Sequence, residues 1–564
     1  MNIQRRLAPW ILACMPIWLH SAPSAIVPDT IYLGNIHTMN SAQPAAEAVA
    51  VTGGKIVAVG ARGDLLSLRG SATRVVELGE RVMLPGFIDA HGHLTGISAY
   101  LDYANLAPPP AGSVRSIGEL QKVLRRRIAD EKIPVGQWVV GVGYDDALLD
   151  ERRHPTRDDL DAVSTIHPVI VVHASGHLSA GNSRVLEMLG LNADTIDPSG
   201  GVYRRREGTQ EPNGVFEELA HYAVLARVPR ASADQIVERL GRTLQYLASH
   251  GLTTVQEGAA NPDSLRILEA AAAGQLLNLD VVAYRFWPVV GTPLPIESSM
   301  AEYKNRLRVD GIKMMLDGSP QGKTAFLSKP YRVPPPGRDA SYRGYPSLPE
   351  PAVKKALKEA LSRGVPALVH ANGDAAAQML IDAVAESGVG PRHSRVVMIH
   401  AQTVREDQLD RMAELDITPS FFVSHTFFWG DWHRDEVLGE QRAKMISPLR
   451  AATQRGIRYT LHNDPPVVPP DMIRTLWAAT NRLTRSGQVL GREQRATIGE
   501  ALAAITLDAA RQHGEESLKG SIEPGKQADL VIVSADPFAM PAERLLELKV
   551  LETISQGRSV YVTP

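Results

Sequence analysis

The stretch that decides the fold is Leu-Pro-Gly-Phe-Ile-Asp-Ala-His-Gly-His, residues 84–93. In an extended strand, residues i and i+2 point to the same side, so His91 and His93 can present two imidazoles to one ion. Neutral imidazole is a ligand for zinc and similar divalent metals. Because the histidine pair ends an apolar strand directly after Pro-Gly, the sequence predicts a metal site here.

On the C-terminal side of this stretch, apolar strand-like runs that end in polar residues alternate with segments of helical periodicity, such as 352–362 and 405–415. There are eight such runs, at residues 82–91, 252–257, 279–286, 311–317, 366–370, 395–400, 417–425 and 457–464. Alternating strands and helices are typical of a parallel α/β architecture. Eight units predict a (β/α)8 TIM-like barrel.

The two ends of the chain have a different pattern, with short β-like runs interrupted by glycine. We expect a composite β-sandwich domain assembled from residues 26–84 and 519–564. The barrel would then occupy residues 85–518. Residues 95–250 do not follow the strand–helix rhythm and include extra strand-like runs at 138–144 and 168–173. They are interpreted as a subdomain inserted after the first barrel strand.

Three later runs also end in side chains that bind metals, namely His370, His400 and Asp464. Catalytic groups of a barrel collect at the C-terminal ends of its strands, so we expect these residues to meet His91 and His93. Lys313 lies within the apolar run at 311–317. A lysine in an apolar strand is costly unless it is paired or modified, so it belongs to the same candidate set.

Together these motifs resemble the amidohydrolase superfamily, and in particular its amidohydrolase family 3 branch of YtcJ-like and N-substituted formamide deformylase-like proteins. The resemblance covers about residues 28–564. The further stretches that carry it are residues 175–177, 211–218, 251–255, 317–319, 370–374 and 400–402. It implies that one or two divalent metals, zinc foremost, are held by His91, His93, Lys313, His370, His400 and Asp464.

Two details of the ligand set stay open at this stage. The resemblance implies a carbamate on Lys313 (N6-carboxylysine) that bridges two metals, and we favour it; a Lys313–Asp317 pair with a single metal is the alternative. The last family motif usually reads Gly-Ser/Thr-Asp-x-Pro, whereas His462 here takes the place of a small residue before Asn463-Asp464-Pro465. This departure concerns the substrate pocket, so His462 is a candidate substrate contact.

Metal chemistry suggests how such a site would act. A bound divalent cation lowers the pKa of its water, and Asp464 would serve as general base and then general acid. His173 and His177 are further candidate substrate contacts, although loop hydrogen bonding is an equal reading. His425 and Trp429 belong to an aromatic segment, residues 421–432, in a chain with only 5% aromatic residues. That segment favours a clamp for an apolar substrate group over a packed lid.

The leading hypothesis is hydrolysis of a non-peptide C–N bond in an amide, formamide or cyclic amide. A lactone or ester hydrolase is the alternative within enzymes, because the same nucleophile attacks either carbonyl. A non-catalytic binding or regulatory barrel is a third reading, and the intact set of six ligand positions argues against it. The substrate is expected to be a small molecule, and a homo-oligomer is left open.

The composition and the N-terminal residues limit which binding partners and which cellular compartment are expected. A net charge of −2 in 564 residues gives no basic surface for nucleic acid. Cys14 is the only cysteine, which excludes an intrachain disulfide and a cysteine-based metal site. Arg5 and Arg6, the apolar residues 7–19 and the small residues 21–25 predict an N-terminal export signal over residues 1–25, hence a periplasmic or secreted protein. Lipoprotein and twin-arginine export stay open, and no later segment predicts a membrane span.

Overall fold

The computed structural model describes residues 27–229, 232–287, 293–295, 302–390 and 395–564. The predicted export signal therefore lies outside the described residues. The strands are β1 Thr30–His37, β2 Ala45–Thr52, β3 Lys55–Gly60, β4 Arg74–Pro85, β5 Phe87–Ile88, β6 Ala104–Asn105, β7 Val139–Tyr144, β8 Val169–His173, β9 Leu178–Gly181, β10 Gly201–Arg205, β11 Pro212–Glu218, β12 Leu252–Ala260, β13 Asp280–Phe286, β14 Leu307–Met315, β15 Ala367–Ala371, β16 Val396–His400, β17 Ile417–Phe421, β18 Thr460–Leu461, β19 Leu530–Val533, β20 Val550–Ser555 and β21 Arg558–Val562.

The α-helices are α1 Arg62–Leu66, α2 Leu94–Tyr100, α3 Ile117–Asp130, α4 Arg157–Asp161, α5 Ser183–Leu189, α6 Leu219–Leu225, α7 Ala233–Ser249, α8 Pro262–Ala273, α9 Glu350–Ser362, α10 Asp374–Ser387, α11 Glu406–Leu415, α12 His425–Phe428, α13 Gly430–Trp432, α14 Glu440–Ala443, α15 Leu449–Gln454, α16 Met472–Asn481, α17 Ile498–Ala504 and α18 Leu507–Gln512. A π-helical turn follows α13 at His433–Val437. Within the described ranges, no helix combines the length and the apolar character needed to cross a membrane.

Eight strands form one parallel sheet in the order β5-β12-β13-β14-β15-β16-β17-β18. Strands β15 and β16 are buried along their whole length, as expected for a parallel sheet whose faces are both covered. The sheet curls, because the backbone N–H of Asp464 donates to the His91 carbonyl (3.1 Å) and that of His93 donates to the Pro465 carbonyl (2.9 Å). The predicted mixed α/β fold with eight parallel strands is confirmed, and the curl is consistent with a TIM-like barrel.

The predicted first strand, residues 82–91, is wrong as a single element. The chain leaves one sheet at the end of β4 and enters the parallel sheet at β5, with Gly86 between them. A Cβ at Gly86 would lie 2.3 Å from the Thr253 hydroxyl oxygen, so only glycine fits at this crossing. The histidine pair therefore follows a strand of two residues and is held largely by loop contacts.

The seventh run, residues 417–425, is also shorter in the structure than predicted. Strand β17 ends at Phe421, and His425 begins the short helix α12. The aromatic segment thus continues as helical turns above the strand end. His425 consequently does not occupy a strand-end position equivalent to those of His370 and His400.

Strands from both chain ends share a seven-stranded sheet in the order β21-β20-β19-β4-β1-β2-β3. Strand β19 pairs antiparallel with β4, which joins residues near 530 to residues near 84. Val82 and Val531 belong to the same apolar core as the parallel sheet, so the two sheets pack together. A composite sandwich with limits at 26–84 and 519–564 stays a prediction.

The region 95–250 contains a third sheet of six strands in the order β10-β11-β9-β8-β7-β6. Strands β6, β7 and β8 run parallel, whereas β9, β10 and β11 add antiparallel pairs. Helix α3 packs on one face through Leu120 and Leu124, and α5 packs on the other through Val185 and Leu186. This inserted sheet carries residues of segment 173–177 toward the parallel sheet.

Candidate metal centre

The histidine pair meets the end of the last parallel strand. His93 Nε2 lies 3.1 Å from Asp464 Oδ1, and His91 Nε2 lies 3.7 Å from the same oxygen. The backbone bonds between residues 91–93 and 464–465 hold these segments side by side. Asp464 adopts a positive φ of 53°, an uncommon conformation that turns its carboxylate back over the sheet end.

The two single histidines complete the group from neighbouring strands. In the β15–β16 register Ala371 lies opposite His400, so His370 and His400 end at nearly the same level. His400 Nε2 lies 3.1 Å from His370 Nδ1 and 3.8 Å from Asp464 Oδ2. Both residues are 4% exposed and so are buried like His91, whereas the His93 side chain is 28% exposed.

Lys313 projects from β14 into this space, and its Nζ lies 2.8 Å from His91 Nε2. Burial lowers the pKa of Lys313 to about 8. The alternative of a Lys313–Asp317 pair is not what the structure contains. The Asp317 carboxylate instead accepts hydrogen bonds from the backbone N–H groups of Phe326, Asn372 and Gly373, at 2.7–2.9 Å.

The side chains that converge here suit a divalent cation. Asp464 Oδ1 is buried and has no hydrogen-bond partner within the described part of the chain, although imidazole nitrogens surround it. Burial holds the pKa of His91, His370 and His400 well below the ordinary value, so these imidazoles are neutral, the form that binds metals. Burial of such groups without a cation is costly, which makes a metal the simplest occupant.

A second layer of hydrogen bonds orients the candidate ligands. Gln256 Oε1 accepts from His91 Nδ1 at 2.6 Å, and the Gly318 carbonyl lies 3.1 Å from His370 Nε2. His462 Nε2 lies 3.1 Å from His400 Nδ1, and its own Nδ1 lies 2.8 Å from the Ser420 hydroxyl. Such partners fix the tautomer and direction of a ligand histidine. The sequence analysis did not identify Gln256, which lies on β12. The neighbouring Glu257, an acidic residue at the end of the same apolar run, was the signal that could have pointed to it.

A cavity of about 660 Å³ opens above the candidate ligands. Its wall includes His173, His177 and Trp429, three of the predicted substrate contacts. Other aromatic residues on the wall come from several elements; they are Tyr100, Tyr103, Tyr222, Tyr246, Phe286 and Phe428. The cavity thus combines aromatic wall residues with the polar candidate ligands, as small-molecule sites usually do.

His425 and His462 have positions different from those the sequence predicted. Neither belongs to the described lining of this cavity. His425 Nδ1 lies 3.0 Å from His433 Nε2, and the two rings stack beneath Trp429. His462 lies behind His400. The physical reason is that buried polar partners hold each ring, namely His433 for His425 and Ser420 and His400 for His462.

His177 comes closest to the ligand group among the inserted residues. Its ring centroid lies 5.1 Å from that of His370, and its Nδ1 lies 2.8 Å from Glu218 Oε2. Burial lowers the pKa of His177, but the Glu218 carboxylate outweighs it and raises the pKa overall. Glu218 has a φ of 50°, and its Oε1 is buried without a partner among the described residues. The sequence signal for Glu218 was the stretch 211–218, to which no role could be given without its neighbour in space.

Comparisons with known proteins bear on the family and the fold of this chain. The amidohydrolase family profile matches residues 74–561. The chain is 27% identical to N-substituted formamide deformylase from Arthrobacter pascens, over 93% of this chain and 96% of that protein. It is 27% identical to a protein named YtcJ from Bacillus subtilis, over 94% and 98%. An uncharacterized metal-dependent hydrolase from Pyrococcus horikoshii superposes with a TM-score of 0.70 at 25% identity, covering 91% and 99%.

Removal of metal should lower the thermal stability of the protein. A ligand present at about a thousand times its Kd stabilises the native state by about 4 kcal/mol, so chelation should lower the Tm by several degrees and added Zn²⁺ should restore it. Calorimetry with elemental analysis measures both changes.

The response to chelation should shrink in His400→Gln. It should persist in the control His37→Gln, whose ring is hydrogen-bonded to Asp536 in the seven-stranded sheet. Identical melting curves for metal-loaded and metal-free protein would contradict the site.

Proposed function

This chain belongs to the amidohydrolase family, and from that premise we propose that it is a metal-dependent hydrolase that cleaves a non-peptide C–N bond in an amide, formamide or cyclic amide. The proposed ligands are His91, His93, Lys313, His370, His400 and Asp464. The observation that carries the proposal is the approach of His93 to Asp464 at 3.1 Å at the floor of the cavity of about 660 Å³.

The proposed reaction depends on proton transfer by Asp464. A divalent cation, foremost Zn²⁺, would supply an acidified water and a Lewis acid for the scissile carbonyl when bound. Asp464 has one carboxylate oxygen without a hydrogen-bond partner in the described structure, so it can accept the proton of the attacking water. The same carboxyl then returns the proton to the leaving nitrogen. Asp464 lines the floor of the cavity beside His93, so its carboxylate lies where a substrate in the cavity would meet it.

The cavity wall favours a substrate with an apolar or aromatic group next to the scissile bond. Trp429 and Phe428 from the aromatic segment, and Tyr222 and Tyr246 from the inserted region, all line the cavity. Aromatic walls bury such a group and leave few polar contacts to fix its orientation. His177 would supply one of them, because its Nδ1 is held by Glu218 while the ring faces the cavity.

The proposed architecture has three parts. The curled parallel sheet and its helices would form a closed (β/α)8 barrel over residues 85–518, with the subdomain at about 95–250 inserted into it. Residues 26–84 and 519–564 would form the composite β domain. The meeting of residues 91–93 with 464–465 supports closure, since it joins the two edges of the sheet.

We further propose that Lys313 is carboxylated and bridges two ions. The neutral amine would add to CO₂, forming an N–C bond and releasing one proton, and the product is a carbamate with two ligand oxygens. Burial at 2% exposure beside His91 disfavours the free ammonium and so supports this step.

Export to the periplasm or the medium is proposed from the N-terminal residues alone. Arg5 and Arg6 precede the apolar residues 7–19, the pattern of a cleaved signal.

The function is tested most directly by Asp464→Asn. Asparagine tolerates the positive φ at this position and keeps one oxygen for the metal, but it cannot accept a proton. On a panel of amides, formamides and cyclic amides, kcat should fall by ~10²–10⁴-fold with the fold retained. The control Asp471→Asn keeps the cap of α16 and should stay near wild type.

Esters and lactones belong in the same panel. Turnover of these alone would assign the protein to the alternative class. No turnover of any compound by metal-replete wild type would favour a binding role, and an Asp464→Asn enzyme within a few-fold of wild type would move proton transfer to another residue.

Lys313→Ala should lose at least one ion and most activity, because the bridge is removed. Short carboxylic acids should restore part of both, whereas the exposed control Lys355→Ala should behave as wild type. Incubation of wild type with ¹³C-bicarbonate should give a carbamate resonance by NMR. Its absence from metal-replete protein, or two ions retained in Lys313→Ala, would refute the bridge.

Cell fractionation of a C-terminally tagged protein should recover it outside the cytoplasm, with an N-terminus that begins near residue 26. Replacing Arg5 and Arg6 by Gln should reduce export, because the positive start of the signal is lost. Recovery of intact protein only from the cytoplasm would contradict export.

A further inference from the structure

The cavity above the candidate metal centre reaches the protein surface at a largely apolar rim. Leu101, Asn105 and Tyr246 are the exposed residues in its described lining. Leu101 is 42% exposed and Tyr246 is 39% exposed, so the cavity meets solvent beside these two side chains. The Asn105 side chain is used within its own loop, where it accepts from the Ala107 N–H at 2.9 Å and donates to the Ala111 carbonyl at 3.3 Å. The rim therefore presents a leucine side chain and a tyrosine ring to an entering molecule.

The described lining offers no unbalanced positive charge outside the candidate ligands. Lys313 is its only lysine, and it contains no arginine. His173 Nε2 lies 3.0 Å from Asp146 Oδ1, and His177 Nδ1 lies 2.8 Å from Glu218 Oε2, so each of these rings faces a carboxylate. A carboxylate on a substrate would therefore find no free cationic partner along this wall.

Two carboxylates belong to the lining besides the candidate ligand Asp464, and both already have partners. Glu257 Oε2 accepts from the Thr95 backbone N–H and from the Thr95 hydroxyl, at 2.7 Å each. Asp145 accepts from the Trp429 indole and from a backbone N–H. Because both groups are buried, they would repel a further negative charge in the cavity more strongly than exposed carboxylates do.

The basic side chains close to the cavity are directed away from it. Asp102, the residue after the rim leucine, forms ion pairs with Arg239 and with Arg242 of α7. Arg485 donates to the Pro109 carbonyl at 2.6 Å. None of these side chains belongs to the described lining. The route from the candidate metal centre to solvent is thus walled by groups that are uncharged or already paired.

We infer that the natural substrate carries an uncharged apolar arm that extends from the scissile bond to the rim at Leu101 and Tyr246, and that the site discriminates against a carboxylate at the far end of this arm. The inference rests on the proposed amide hydrolysis and names its substrate class: neutral amides with a long alkyl or aryl substituent, rather than amides of amino acids and other acids. The aromatic lining buries such an arm, whereas an ionised group at its end would lose hydration without gaining a partner.

Matched pairs of substrates test the discrimination. N-hexylformamide is compared with 6-formamidohexanoate, and hexanamide with adipic acid monoamide, so that the members of each pair differ by one terminal carboxylate. In the pair that metal-replete wild type hydrolyses faster, kcat/KM of the neutral member should be at least about tenfold higher, because a carboxylate held without a partner is unfavourable. Equal values of kcat/KM within that pair, or a preference for the acid, would overturn the inference.

A charge placed at the rim should weaken the discrimination. Leu101→Arg supplies a cation there, so kcat/KM for the carboxylate compound should rise several-fold and the ratio within the pair should narrow. The matched control Met188→Arg adds the same charge on the exposed side of α5, at a residue that is 49% exposed and lies outside the lining, and should keep the wild-type ratio. Equal ratios in the two variants would overturn the inference, because the arm would then not end at the rim.

Chelating inhibitors separate this inference from the proposed reaction. Octanohydroxamic acid and suberic acid monohydroxamate carry the same metal-binding group and differ by a terminal carboxylate. In calorimetric titrations of Zn²⁺-loaded protein, the neutral compound should bind at least about tenfold more tightly, since the acid loses hydration without a partner. Tighter binding of the neutral compound without hydrolysis of any amide would refute the reaction and leave the inference standing. Equal affinities, or no binding of the neutral compound, would overturn the inference whatever the turnover.

Discussion

The convergence of four imidazoles, one lysine and one carboxylate, all but His93 buried, at a single end of a parallel sheet is the constraint on which the rest of this structure depends. Parallel strands bring their carboxyl ends to the same edge, so His91 and Asp464, which are 373 positions apart in sequence, meet there. The desolvation of these groups is unfavourable unless an ion compensates it. Much of the surrounding structure therefore serves to hold ligand atoms inward, including the glycine crossing at Gly86 and the positive φ at Asp464.

The departure of this chain from the usual last motif has a structural explanation. His462 stands where a small residue is expected, yet it does not enlarge the set of substrate contacts. It lies between Ser420 and His400, at 2.8 and 3.1 Å, and forms a hydrogen-bonded chain that ends on a candidate ligand. A small residue could not reach His400. The substitution thus affects the orientation and basicity of that imidazole more directly than the shape of the cavity.

The inserted sheet repeats, on a smaller scale, the principle of the larger one. Its parallel strands β7 and β8 end in acidic residues and a histidine, and its antiparallel part brings Glu218 to His177. Both groups lie against the cavity that the parallel sheet opens. The hydrogen bond from Trp429 to Asp145 joins the aromatic segment of the larger sheet to the insert. The cavity wall is consequently a product of two sheets, and its shape depends on how firmly the insert is held.

The sequence by itself determined the class of fold and the residue types of the candidate centre. The alternation of apolar runs with helical segments indicates parallel strands, and the polar residue that ends each run indicates the sheet edge where the strands meet. Both signals can be found in the sequence because each depends only on neighbouring residues. The sequence could not determine where the chain and its side chains go beyond the strand ends. His425 pairs with His433, His462 lies behind His400, and the first strand breaks at Gly86, all of which follow from contacts between distant segments. Likewise, the pairs Gln256–His91 and Glu218–His177 were decided only by tertiary structure, since a side chain takes its partner from whatever the curled sheet and its insert place within hydrogen-bonding distance.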